Sequence, residues 1–433
     1  MRRKFQSLMP AIPSTGLWPV DITPAEKVKW INQNQHICLN PYTTLHSQIN
    51  KTAQIQSTCC CNLIPSEIND YNFTDLKLTI KQGVKNGRCQ VCYNSEKQIG
   101  TSERTIALLS QQPNTINRFL DTGVVDHFEF RIKFSNLCNL ACKTCQPEFS
   151  SKYAQVYSLP VLKELQEDIG NNETFWNELT NQIVSKCQEV SHVSVALFGG
   201  ESLIQPGAIR LIDWLIDNGL SDKIILRLTT NFTNLKQNII KNFDKFKLVS
   251  VCASIDSVDE NYGYVRYPEK FTTITNNLNL IIQNKQNTKI NFYITPVWSL
   301  HNIFYINDYL DWWNTWFTEN DIHNIAINNV SMSEPHIMTV QNLPVEYRCN
   351  LLSVVQQAVT HKIFENPKHT GLKEYLLGLV SFLSSNTIVY DKFAEFLKQT
   401  AKDDRLTGLS MNVGNAKFYN ILSDAHKQFL NAK

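Results

Sequence analysis

Charge of one sign is what this 433-residue sequence most plainly lacks: 41 basic residues stand against 39 acidic ones, for a formal net charge of +2, scattered along the chain. That balance excludes the broad electrostatic footprint that nucleic acid or an anionic membrane would need. A long apolar run is missing too. The basic start, "MRRKFQSLMPAIPSTG", is broken by Gln6, Ser7 and two prolines before it can form a signal-peptide core, so secretion is not expected. The most apolar later stretch, Tyr375 to Tyr390, is interrupted by Ser384, Ser385 and Asn386 well short of a membrane span. There is no internal repeat, and no helix-spaced histidine pair of the zinc-peptidase kind. The expectation is a soluble protein of a reducing, cytoplasmic compartment.

With 42% apolar residues, the chain can bury a full-sized core without disulfide staples. Its twelve cysteines are therefore free for metal or redox chemistry. They are unevenly spread. Cys38, Cys59, Cys60, Cys61, Cys89 and Cys92 fall in the first hundred residues, and Cys138, Cys142 and Cys145 follow as a group. Cys187, Cys252 and Cys349 stand alone and read as buried small hydrophobes. This distribution suggests an extension over 1–35, a cysteine-rich α+β unit over 36–110, a central body over 125–340 and a helical C-terminal region over 341–433.

The central body alternates β-rich runs with helical patterns, as parallel strands joined by crossover helices do. The strands read "FEFRIKF" (128–134), "VSVAL" (193–197), "IILRLT" (224–229), "LVSVCAS" (248–254), "KINFYIT" (289–295) and "IHNIAIN" (322–328). Among the intervening helices, "GAIRLIDWLIDNGL" places Ile209, Ile212, Leu215 and Ile216 at helical spacing and stops at Asn218-Gly219. Six units are too few for a closed eight-stranded barrel, so the fold class expected is α/β, a partial (β/α)6 TIM-like barrel. Barrels of this kind keep their chemistry in the loops after the strands.

Special residues do fall there. "CNLACKTC" follows the first strand; three thiolates on one loop leave one iron of a cubane cluster open to chemistry. The blander alternatives are a zinc knuckle short of its fourth ligand or three buried thiols. "FGGESL" follows the second strand, with Gly199 and Gly200 allowing close backbone approach and Glu201 supplying a carboxylate. "TTNFT" follows the third, offering Thr230 and Asn231, and "SIDS" the fourth, offering Ser254 and Asp256, with Arg266 beyond in "YVRYP". Taken singly, these are turns and helix caps. Their order is what makes them informative.

In that order, over roughly 128–328, they resemble the radical S-adenosylmethionine superfamily. The resemblance implies a [4Fe-4S] cluster on Cys138, Cys142 and Cys145, with S-adenosylmethionine chelating the open iron. It implies that Gly199, Gly200 and Glu201 hold the methionine end, and that Thr230, Asn231, Ser254, Asp256 and Arg266 contact ribose or methionine groups. Reduction, by a one-electron donor such as flavodoxin or ferredoxin, would yield a 5′-deoxyadenosyl radical for hydrogen-atom abstraction, with the cofactor carrying the hard chemistry. Two departures stand out: Thr144 where many members carry an adenine-stacking aromatic, and Phe232 where a glycine commonly follows the Thr-Asn pair.

In the N-terminal unit, a C-x-x-C pair with remote cysteines can make a four-thiolate site for zinc or for a closed iron–sulfur cluster. The pattern resembles the twitch unit, the shortened SPASM domain, and a group of radical proteins in which it precedes the core. That group shares a run matched by Cys89, Cys92, Glu96, Gly100, Ser102 and Arg104. The resemblance implies an auxiliary cluster on Cys38, Cys89, Cys92 and one of Cys59 and Cys60, and, because such relatives often modify peptides, a peptide or protein substrate. Ser102 and Arg104 read as a helix cap and a surface ion pair. "PVWSLHN" (296–302) is a candidate cavity lining, and helices such as "VEYRCNLLSVVQQAV" would close the barrel's open side or bind a partner. The competing function is a catalytically silent iron–sulfur or zinc-binding interaction protein on the same barrel.

Overall fold

The computed structural model describes residues 29–31, 33–35, 37–38, 44–47, 55–56, 74–99, 102–109, 113–160, 166–284, 289–328, 330–332, 335–385 and 387–431. They fall into two units: 1–134 with 169–196 and 217–225, and 135–168 with 197–216 and 226–433.

In the first unit, β1 (Thr44–Ser47) pairs antiparallel with β2 (Ile55–Gln56) and parallel with β3 (His127–Ile132), Leu45 lying against Phe130. The strand order is β2-β1-β3-β4, where β4 is His192–Leu197. The helix Glu173–Glu189 shows why such segments fold. Asn172 caps it by accepting from the Phe175 N–H at 3.0 Å, and Glu173 sits against the positive end of its dipole. Phe175, Trp176, Leu179, Thr180 and Ile183 form its buried face. Phe175 meets Phe134 edge to face at 6.3 Å. A second core gathers Trp30, Ile31, Ile37, Ile80, Tyr93, Leu108 and Phe119 around Cys38 and Cys89.

In the second unit the order is β5-β6-β7-β9, with β5 at Ile224–Thr230, β6 at Leu248–Ala253, β7 at Ile290–Ile294 and β9 at Ala326–Ile327. β6, β7 and β9 run parallel, Val251 opposite Phe292 and Ile294 opposite Ile327. Along β6, Val249, Val251 and Ala253 are buried while their neighbours are half-buried, the two-residue period of a strand with one covered face. Two-residue strands β8 (Val297–Trp298) and β10 (Val330–Ser331) pair separately. The helix Ile306–Glu319 buries Ile306, Tyr309, Leu310, Trp313, Trp316 and Phe317 at three- and four-residue spacing. Each such side chain contributes about 1.5–3 kcal/mol through burial.

All six strands expected from the sequence are present, so the chain is mixed α/β. The last is much shorter than expected: only Ala326–Ile327 of 322–328 is strand, these being the two residues that pair with β7, and Asp321 just before the run is left-handed at φ 53°. The helix Pro206–Asp217 ends where Asn218-Gly219 signals, Gly219 taking φ +63°. "VEYRCNLLSVVQQAV" is the helix Val345–Val359. No helix among the described residues is long and apolar enough to cross a membrane.

Candidate metal and cofactor site

Cys138, Cys142 and Cys145 lie half-buried on a loop of the second unit that is fastened at nearly every residue. Ser151 Oγ accepts from the Cys138 N–H at 3.1 Å, Ser150 Oγ donates to the Leu140 carbonyl at 2.5 Å, and the Ala141 and Lys143 N–H groups donate to the carbonyls of Tyr267 and Val265 at 2.7 and 2.9 Å. Ser150 also caps the helix Ser151–Val156. The Lys143 ammonium, 1% exposed, pairs with Asp404 at 2.8 Å.

The Gly-Gly-Glu loop closes directly onto this one. A β-carbon at Gly200 would stand 2.1 Å from the Leu137 carbonyl oxygen, so no other residue fits there. The Glu201 N–H donates to that same carbonyl at 2.8 Å. Glu201 is fully buried. Its Oε1 accepts from Thr230 Oγ1 at 2.7 Å and from the Leu203 N–H at 3.1 Å, while Oε2 accepts from the Asn231 N–H at 2.6 Å. Burial raises this carboxyl's pKa, and the hydrogen bonds from Asn231 and Thr230 oppose the rise. Asn231 Nδ2 donates to Asn139 Oδ1 at 2.8 Å and lies 4.0 Å from Cys138 Sγ; Asn139 Nδ2 in turn donates to Thr233 Oγ1 at 2.9 Å. The third strand end is thereby tied into the cysteine loop. Phe232 leaves the turn intact, adopting φ +65°, the left-handed conformation that glycine would take without strain, while its N–H bonds Thr230 Oγ1.

Asp256 and Arg266 are turned toward each other. The guanidinium holds Asp256 Oδ2 in a fork at 2.9 Å through Nε and 2.8 Å through Nη2, and Oδ1 accepts from the Val297 N–H at 2.9 Å. Asn302 Nδ2 donates to the Asp256 carbonyl at 2.7 Å. "PVWSLHN" therefore supports Asp256 from behind: Trp298, Ser299, Leu300, His301 and Asn302 are buried. Burial pushes the Cys142 thiol well above its usual range, and the Arg266 charge opposes this; the thiols of Cys145 and Cys138 raise it further. Ser254 faces a different space, a cavity of about 540 Å³ that it lines with Thr229, Cys252, Thr295, Asn328 and Lys368.

Three thiols on one loop with a guanidinium nearby is donor chemistry suited to an iron–sulfur cluster. Among the described residues no three His, Cys, Asp or Glu side chains converge as they would around a single metal ion.

In the first unit, Cys38, Cys89 and Cys92 are buried, Cys38 and Cys89 within one apolar core. Cys92 lies on the helix Gln90–Ile99. Cys59, Cys60, Cys61 and Gly100 lie outside the described residues. Ser102 caps as expected, its Oγ accepting from the Thr105 N–H at 3.2 Å. Arg104 departs from expectation, because its pair with Glu96 at 2.6 Å is buried, not on the surface. The fork also donates to the carbonyls of Ile37 at 3.1 Å and Asn34 at 3.4 Å, which draws the guanidinium inward. The lone cysteines correct a second expectation: Cys187 and Cys252 are only half-buried, and Cys349 is exposed on the outer face of its helix.

Lys143, Asn139 and Asp404 were not singled out in the sequence, whereas Asn302 belonged to the candidate cavity lining and instead holds the Asp256 backbone. Lys143 could have been suspected as a lone charge between two cysteines; Asp404, 261 positions away, gives no local signal.

No protein-family profile matches the chain, and no curated protein matches it. Among solved structures, it is similar to anSMEcpe with bound AdoMet, at 18% identity and a TM-score of 0.39 over 55% of this chain and 62% of that one. It is also similar to Streptococcus suis SuiB bound to S-adenosylmethionine, at 14% identity and a TM-score of 0.36 over 66% and 62%. SuiB bound to the precursor peptide SuiA gives 15% identity and 0.36 over 74% and 70%. The chain thus spans about 62% of the length of anSMEcpe.

Proposed function

We propose that this chain is a radical S-adenosylmethionine enzyme built on a partial (β/α)6 barrel, acting on a peptide or protein. The observation that carries the reading is the convergence of separate strand-end motifs on one cysteine loop. Gly200 and Glu201 abut Leu137, and Asn231 reaches Asn139 and Cys138. A turn or a cap has no reason to meet the other strand ends in this way.

In this reading Cys138, Cys142 and Cys145 hold a [4Fe-4S] cluster and leave one iron for S-adenosylmethionine. The bound pair would supply a 5′-deoxyadenosyl radical for hydrogen-atom abstraction, after reduction by a donor such as flavodoxin or ferredoxin. The protein's part is to position and to shield. Glu201 fixes the Thr230-Asn231 turn, Asp256 fixes Arg266, and Arg266 offsets thiolate charge near Cys142. Gly199 and Gly200 would let backbone approach the methionine end, Gly200 lying against the Leu137 carbonyl. Cys38, Cys89, Cys92 and one of Cys59 and Cys60 would carry an auxiliary cluster. The inference of a peptide substrate rests on that N-terminal pattern.

One observation favours the silent alternative: the oxygens of Glu201 and Asp256 already have protein partners. Anaerobic reconstitution with iron and sulfide, followed by dithionite and S-adenosylmethionine, decides between them. Formation of 5′-deoxyadenosine and methionine is expected. An iron-loaded protein that never forms them is the silent one.

A further inference from the structure

Between Cys142 and Cys145 the chain carries a lysine whose side chain leads into the C-terminal region. Lys143 Nζ lies 2.8 Å from Asp404 Oδ1 and 4.2 Å from the centre of the Tyr264 ring. Asp404 sits on the helix Phe393–Thr407, and its Oδ2 accepts from the Met411 N–H at 2.6 Å, joining that helix to the next segment. That segment grips Tyr264 from the other side. A β-carbon at Gly414 would stand 2.4 Å from the Tyr264 side chain, and Asn261 Nδ2 donates to the Gly414 carbonyl at 2.6 Å. The Lys143 N–H donates to Val265, the residue after Tyr264. One residue of the cysteine loop is therefore held by backbone, by an aromatic face and by a carboxylate at once.

An ammonium this deeply buried needs its counter-charge, and withdrawing it from Asp404 would strip it of its one hydrogen-bonded carboxylate, leaving only the nearby charge of Asp403. Any movement of the loop that pulls Lys143 from Asp404 is opposed by that penalty, which resists displacement of the cysteines on either side. We propose that Asp404, through Lys143, positions Cys142 and Cys145, making the helix Phe393–Thr407 a working part of the cysteine site. The consequence for a cluster rests on the reading above; the geometry does not. Asp404 touches no thiol and acts through Lys143, so it is a positioning residue.

The test is alkylation by iodoacetamide of the full chain without iron, each cysteine followed by peptide mass spectrometry, in the parent and in Asp404→Asn. Cys142 and Cys145 should react about tenfold faster in the variant, as expected for a local opening released by breaking a buried pair. Cys252, on β6, should keep its parental rate. Equal acceleration of all three marks a general loss of structure and overturns the proposal, as do unchanged rates at Cys142 and Cys145. If Asp404→Asn does not fold, Asp404→Glu keeps the charge one methylene further out and should give a smaller, equally selective acceleration of about threefold. In reconstituted protein, Asp404→Asn should also alter the electron paramagnetic resonance signal of the reduced cluster. Should the parent take up no iron, the enzyme reading fails while the alkylation result still decides this one.

Discussion

The two cysteine groups differ in the balance of apolar and polar contact around them, although Cys145 also packs against the apolar cluster of Ala141, Tyr153 and Tyr157. In the first unit Cys38 and Cys89 sit in an apolar core with Trp30, Ile37 and Tyr93, and a buried ion pair, Glu96 with Arg104, pins the segment before Cys38. In the second unit the cysteine loop rests on a polar lattice. Ser150 and Ser151 each bond the loop through their hydroxyls, Asn231 reaches Asn139, and Gly200 is packed so closely that a β-carbon is excluded. An apolar core tolerates small adjustments, whereas a polar lattice in a buried place fails when one member is left unpaired.

Gly200→Ala should break the comparison most severely. Leu137 would have to move by about an ångström, and on the proposed reading the variant should fail to take up iron at this loop, measured as iron content and ultraviolet–visible absorption after reconstitution. The triple variant Cys138→Ala, Cys142→Ala, Cys145→Ala should lose deoxyadenosine formation altogether and keep a residual, spectroscopically distinct cluster. Zinc with no residual iron in that variant would sink the two-cluster proposal. Arg104→Ala removes one partner of a buried pair and should cost about 3–5 kcal/mol, read by urea denaturation of the first unit's transition.

A smaller effect tests the lattice around Asp403. Burial lifts this carboxyl to about 6, and the charge of Lys143 opposes the lift. Because its folded pKa lies above the unfolded value, the native state keeps a proton that the unfolded chain releases between about pH 4 and 6. This group's contribution therefore turns against folding as pH rises through that window. Asp403→Asn should be more stable than the parent by up to about 3 kcal/mol above pH 7 and no more stable near pH 4, measured by denaturant titration at both. Smallest of all, Gly219→Ala should cost about 1 kcal/mol, since its φ of +63° is strained for alanine while the space around it is open.

Much of this was legible in the residues. Two-residue and helical periods located all six strands and the helices Pro206–Asp217 and Val345–Val359, because burial repeats locally along a strand or a helix. The short β9 was misjudged, since an apolar run reads alike whether it forms a strand or only packs.

What the sequence by itself determined was the elements, their order and the residue types at the strand ends. Only the tertiary structure decided which polar groups meet: Glu201 with Thr230 across 29 positions, Asn231 with Asn139 across 92, and Lys143 with Asp404 across 261. The physical reason is that burial follows a local period, whereas a buried charge takes whichever counter-charge the returning chain brings to it.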